Sequence, residues 1–82
     1  MKTMMHFRFD PANAAKIAPL IPAEIARVQE LRDAGSLDAL YFAADRTQGW
    51  IVMQGESEAA INEAFASLPL HPYMEATAIP LQ

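Results

Sequence analysis

Hydrophobic and polar side chains alternate from Thr3 to Phe9. Met5, Phe7 and Phe9 fall on one side of the run and Met4, His6 and Arg8 on the other. A period of two predicts a β-strand with one face in a core. Asp10-Pro11 follows, an N-cap residue with proline at the first helical position, and a short helical piece through Ala18 fits the pattern. Pro19 and Pro22 lack the N–H that an unbroken helix needs, so the main helix is expected to open at Pro22 and run to Ala34. Ile21, Ile25, Val28 and Leu31 recur at helical spacing and predict its buried stripe, and Gly35 is placed to end it.

Residues 37 to 44, Leu-Asp-Ala-Leu-Tyr-Phe-Ala-Ala, predict a second strand. Asp45 to Gly49 makes a hairpin loop, and Trp50 to Gln54 a third strand. Ser57 caps a second helix, striped by Ile61, Ala64, Phe65 and Leu68 and ended by Pro69. Pro72 pushes His71 toward extended backbone. Leu68 to Glu75 therefore reads as a stiff entry to a last strand near residues 74 to 79. The order β-α-β-β-α-β predicts an α+β, ferredoxin-like fold with a four-stranded antiparallel sheet, one domain over residues 1–82.

Two helices cover only one face of such a sheet, and a monomer's other face should be polar. Here Trp50-Ile-Val-Met53 is apolar on both faces, Leu40-Tyr-Phe-Ala43 nearly so, and Met4 and Met5 are both apolar. A second copy, sheet against sheet, is the simplest cover. The expected state is a homodimer or a higher oligomer, in a dimeric α+β barrel.

Composition narrows the partners. Hydrophobic residues make up 52% of the 82, which is globular, although a core this small is marginal. No cysteine is present, which excludes disulfides, thiolate metal sites and a Cys nucleophile. A formal charge of −4 with no basic run argues against nucleic acid and anionic membranes. The start, Met-Lys-Thr-Met-Met-His, does not read as a signal peptide, and no apolar span is long enough for a membrane. A cytoplasmic protein is expected.

His6 and Arg8 share one face of the first strand, a proton carrier beside an anion clamp; the same pair also fits a core histidine and a structural ion pair. Glu24 lies at the edge of the helix stripe, where partial desolvation would suit a general base, and equally in a first turn, where a carboxylate favours the helix dipole. Tyr41 and Trp50 flank the second hairpin as core, interface or substrate aromatics, and Arg46 reads as a solvated loop cation. His71 and Tyr73 are held between prolines at the sheet end. Two distant histidines give no metal spacing, and neither a Gly-rich phosphate loop nor a GxSxG elbow occurs.

Leu68-Pro-Leu-His-Pro-Tyr-Met-Glu75, followed by a strand ending Ile-Pro-Leu, resembles the end of muconolactone delta-isomerases, which have Leu-Pro-Leu-Phe-Pro-Tyr-Met-Asp there. His6-Phe-Arg8-Phe is similar to the family's first strand, His-x-(Lys/Arg)-Met. Glu30-Leu31, Gly35, Leu40 and Tyr41 fall where the family has Leu, Gly, Leu and Trp, and Leu20 to Glu24 and Ala44 to Arg46 resemble its short relatives. The resemblance implies sheet-paired ferredoxin-like subunits, a small-ligand pocket and a cofactor-free proton shift in an unsaturated lactone or acid. His6, Arg8 and Tyr73 match family positions; Glu24 is added from its place on the helix. The family's second strand is basic, Trp-Arg-His-Leu-Trp-Arg. Here Leu37 to Phe42 carries Asp38 and no cation that could hold a substrate carboxylate, and His71 replaces the family's Phe.

The expected function is a cofactor-independent isomerase in which His6, Glu24 and Tyr73 move a proton and Arg8, Tyr41, Trp50 and His71 surround a small-molecule ligand, with no metal. The alternatives are a cofactor-free monooxygenase of the same barrel type and a non-catalytic ligand-binding protein, since one fold hosts many chemistries.

Overall fold

Alternation in the first strand is realised as β1 (Lys2–Phe9), which lies inside the sheet between β3 (Gln48–Gln54) and β4 (Met74–Leu81). β2 (Leu37–Phe42) forms the far edge, giving the order β2-β3-β1-β4 with every pairing antiparallel. The computed structural model describes residues 1–81. It shows the α+β, ferredoxin-like arrangement that the sequence pattern predicts.

The helices are α1 (Ala14–Ile17), set between 3-10 turns at Pro11–Asn13 and Ala18–Leu20, then α2 (Ile21–Asp33) and α3 (Glu58–Ala66). Asp10 caps the first turn by accepting the Ala12 N–H at 2.9 Å, and Ser57 Oγ accepts the Ala60 N–H at 3.1 Å at the start of α3. Gly35 ends α2 with φ +81°, a conformation that costs glycine little.

The core lies between the helices and one sheet face. Met5 and Phe7 of β1, Ile51 and Met53 of β3 and Leu37 of β2 pack with Leu31, Ile61, Phe65 and Leu68. Thr3 points into the same layer, buried, and its Oγ1 has no hydrogen-bond partner. A desolvated hydroxyl without a partner is a cost. Thr3→Val is therefore expected to stabilise the protein by about 1 kcal/mol, seen as a higher urea midpoint at unchanged slope.

Several boundaries depart from the pattern. β3 begins at Gln48 because Gln48 pairs with Arg8 and the Phe9 N–H donates to the Thr47 carbonyl at 2.9 Å. β2 stops at Phe42, where the turn takes over: Ala43 N–H donates to Gln48 O and Arg46 N–H to Ala43 O, each at 2.9 Å. The α2 stripe is also shifted. Leu31 is buried, but Ile21 and Ile25 are 44% and 65% exposed, and Glu24 takes the inward position. The first turns of α2 stand over a cavity rather than over the sheet. His71–Tyr73 is a 3-10 turn, not extended backbone. His71 N–H donates to Leu68 O and Tyr73 N–H to Leu70 O, each at 2.9 Å. Those bonds, with Leu68 and Leu70 buried, outweigh the conformational bias of a residue before proline.

The second sheet face has no covering layer in the single chain. Met4, Trp50 and Val52 are half-buried there, and Tyr41 and Ile79 are exposed. Among the described residues no helix is long and apolar enough to cross a membrane.

Candidate functional site

Pro19, Pro22 and Asp10-Pro11 bend the chain over the end of the sheet, and the bend leaves a cavity of about 560 Å³ between α1, α2 and the β2–β3 turn. Its walls are mostly apolar and include Phe9, Ile17, Ile21, Ile25, Val28 and Phe42. Ile21 and Ile25 thus face this cavity instead of a packed layer.

Glu24 opens into the same space. The residue is 9% exposed, and its Oε1 accepts the backbone N–H of Leu70 at 3.0 Å. Burial pushes the carboxyl above its ordinary range; the Leu70 N–H pulls the other way and is the weaker influence. Leu70 belongs to the turn that Pro69 and Pro72 bracket. The turn presents an N–H at a fixed place, and that N–H orients Glu24 across the fold. Glu24 Oε2 accepts no protein hydrogen bond among the described residues.

Four other charged residues line the cavity. Asp10 is occupied in capping Ala12. Asp45 accepts from Thr47 N at 3.0 Å and Thr47 Oγ1 at 2.8 Å, bonds that hold its carboxyl below the usual range. Arg32 and Arg46 form no side-chain hydrogen bond or ion pair among the described residues.

The sequence-predicted site residues fall in three places. His6, Arg8, Tyr41 and Trp50 share the open sheet face, on the side opposite Met5 and Phe7. There the His6 ring stacks on Trp50 at 5.2 Å and 10°, and His6 Nε2 and Gln48 Oε1 are hydrogen-bonded at 2.8 Å. Arg8 sits between Gln48 and Glu75 in the strand register. Glu24 alone lies in the cavity. His71 and Tyr73 sit half-buried in the 3-10 turn, His71 edge-on to Phe65 at 5.3 Å, and neither lines the cavity. The grouping of His6 and Arg8 with a carboxylate in one closed pocket is thus not what a single chain forms. Face parity separates them, because His6 and Arg8 alternate with the residues that face the helices.

Arg46 is exposed on the β2–β3 turn, as a solvated loop cation would be, and it also stands at the edge of the cavity. Sequence reasoning missed the Leu70 N–H, since a backbone donor leaves no residue-type signal. The proline-bracketed stretch was the available clue. Among the described residues no cluster of three or more His, Cys, Asp or Glu is placed to hold a metal.

Among solved structures, 5-chloro-2-hydroxyhydroquinone dehydrochlorinase (TftG) from Burkholderia phenoliruptrix AC1100, in complex with 2,5-dihydroxybenzoquinone, is similar with a TM-score of 0.81 at 13% identity, covering 100% of this chain and 94% of that one. A muconolactone isomerase crystal structure gives a TM-score of 0.81 at 24% identity, covering 99% and 88%. Rv0793 from Mycobacterium tuberculosis gives 0.52 at 19%, covering 99% and 94%. At these identities the likeness concerns the fold. No curated protein matches the chain. The family model described as muconolactone delta-isomerase matches residues 2–82, nearly the whole sequence. The chain belongs to the muconolactone delta-isomerase family.

Proposed function

We propose that this protein is a cofactor-independent isomerase that shifts a double bond in a small unsaturated lactone or acid, with Glu24 as the proton carrier. One observation carries the reading: Glu24, the one buried carboxylate of the three that line the cavity, is held through one oxygen and faces an apolar space large enough for a small organic ligand. Desolvation strengthens a carboxylate as a base, and the fixed Oε1 leaves Oε2 to meet a carbon-bound proton. Glu24 takes that proton from the carbon at the far end of the conjugated system. The electron pair moves toward the carbonyl as the double bond shifts, and the same carboxyl returns a proton at the carbon next to the carbonyl. The proton count is unchanged and no oxidant is consumed.

The oxygenase alternative has less support, because Trp50 and Tyr41 lie on the open sheet face and not in the cavity. The bearing of the two solved relatives is similar. One is named as an isomerase and the other as a dehydrochlorinase, and both names fit chemistry that begins with proton movement on a small cyclic substrate. The test is proton wash-in. In D₂O, butenolide acids and other small conjugated acids are incubated with the protein and followed by ¹H NMR. Deuterium incorporation at the carbon beside the carbonyl, with a moved double bond, supports the reading. An unchanged spectrum across the panel, at protein concentrations approaching that of substrate, contradicts it.

The self-association reading rests on the open face. Tyr41 is 66% exposed there and Ile79 42%, beside half-buried Met4, Trp50 and Val52. Pairing of two such faces would enclose His6, Arg8, Tyr41 and Trp50 between copies and give them a shared environment. Native mass spectrometry is expected to return a dimer or a larger assembly, and Val52→Asp, which places a charge in the middle of the face, to shift it to monomer. A wild-type monomer at micromolar concentration would count against the pairing.

A further inference from the structure

The cavity holds a second group that the proton-transfer chemistry does not use. Arg46 sits at the tip of the β2–β3 turn and lines the cavity with Glu24. Its φ of +61° is the one positive value at a non-glycine among the described residues. An L side chain in the left-handed region is uncommon, and glycine or asparagine would hold such a turn at lower cost. The turn itself is secured by other bonds. Asp45 accepts both Thr47 donors, and Arg46 N–H reaches Ala43 O at 2.9 Å. None of these uses the arginine side chain.

The acidic residues nearby do not use it either. Asp10 and Asp45 are engaged in their own turns, and no ion pair to Arg46 exists among the described residues. Arg32, the other cation at the cavity, has a structural reason to be where it is. It lies in the last turn of α2, where a positive charge favours the helix dipole. Arg46 has no such reason. Arg46 is exposed at the edge of an apolar cavity with no anion paired to it among the described residues, and its planar fork of five donors matches a carboxylate.

We infer that Arg46 is the anion-binding residue of this cavity, holding the carboxylate of the small acid while the neighbouring carbons face Glu24. The inference rests on the reading of Glu24 as proton carrier and adds the group that fixes the substrate's orientation. It also accounts for β2, whose Leu37-Asp-Ala-Leu-Tyr-Phe42 sequence offers no cation. In this chain the positive charge comes from the turn after β2 and not from the strand.

The test uses benzoate as an unreactive carboxylate probe and benzamide as its neutral counterpart, each titrated by ¹H–¹⁵N NMR into the full chain. Benzoate is expected to bind more tightly than benzamide and to shift the amides of the β2–β3 turn and of α2. Arg46→Gly suits the left-handed backbone, so its melting temperature should stay level or rise. Its benzoate affinity should fall about 10- to 100-fold, the range for a charge-assisted hydrogen-bonded pair, with benzamide unaffected. Arg46→Lys should retain part of the benzoate affinity. Equal benzoate affinity in wild type and Arg46→Gly, or no cavity shifts with benzoate in the wild type, overturns the assignment.

The two readings separate through Glu24→Gln. If that variant loses proton wash-in while Arg46→Gly keeps benzoate affinity, the clamp fails and the proton carrier stands. If Arg46→Gly loses benzoate while Glu24→Gln keeps wash-in, the clamp stands and the proton carrier fails.

Discussion

Glu24→Gln is expected to lower the rate of deuterium wash-in by about 10²- to 10⁴-fold and to leave the fold intact. Glutamine keeps the length of the side chain and an oxygen that can still accept the Leu70 N–H, so the orientation seen at 3.0 Å survives. What disappears is the basic oxygen. The pH dependence separates this account from a merely structural one. Burial raises the Glu24 pKa, and the base works only when ionised, so the wild-type rate should climb with pH through that raised value. Stability should move the other way. The folded state binds the Glu24 proton more tightly than the unfolded chain does. Its contribution is therefore complete below the ordinary glutamate value and is lost as pH rises through the raised one. Glu24→Gln removes that loss and should be at least as stable as wild type at neutral pH. Glu24→Ala should be less stable, because it strands the buried Leu70 N–H, a cost of about 1–3 kcal/mol.

Gly49→Ala is expected to produce the largest loss of stability of any single methyl added to the chain. Gly49 lies in β3 opposite Phe7 of β1 and Phe42 of β2. A Cβ there would stand 2.6 Å from Phe7 Cζ and 2.7 Å from the Tyr41 carbonyl oxygen. The ring cannot retreat freely, since Phe7 is 1% exposed and packs edge-on against Phe9 and Phe42. The carbonyl cannot retreat without opening the β2–β3 ladder. The cost should reach about 3 kcal/mol and lower the melting temperature by roughly 15 °C. Because the β2–β3 turn carries Arg46, benzoate binding should weaken as well.

The fold was legible because the alternation in β1 and the helical spacing in α3 agree with the turn residues between them. Met5 and Phe7 face the core and Ile61, Phe65 and Leu68 pack against it, as the two periods require. The stripe of α2 was legible only in its second half. Ile21 and Ile25 keep helical spacing with Leu31, and periodicity cannot tell a wall of a cavity from a packed face. The site was less legible still. His6 and Arg8 share a strand face, which alternation shows, but which face meets the helices depends on the whole sheet. Glu24 was identified as a partly desolvated carboxylate; the donor that orients it is a main-chain N–H contributed from 46 residues away. Arg46 gave no periodic signal, because its place at the cavity edge is set by a left-handed turn conformation that Thr47 and Asp45 help to hold.

The central claim is that Glu24 is a desolvated base facing the cavity, and direct titration of its side-chain carboxyl tests it most plainly. Selective ¹³C labelling of glutamate, with Glu24→Gln to assign the resonance, gives the midpoint by NMR. The account predicts a midpoint above the other glutamates of the chain, and a further change in that resonance when benzoate fills the cavity. A midpoint within the range of the exposed glutamates, insensitive to benzoate, would mean that Glu24 is solvated and is not the proton carrier.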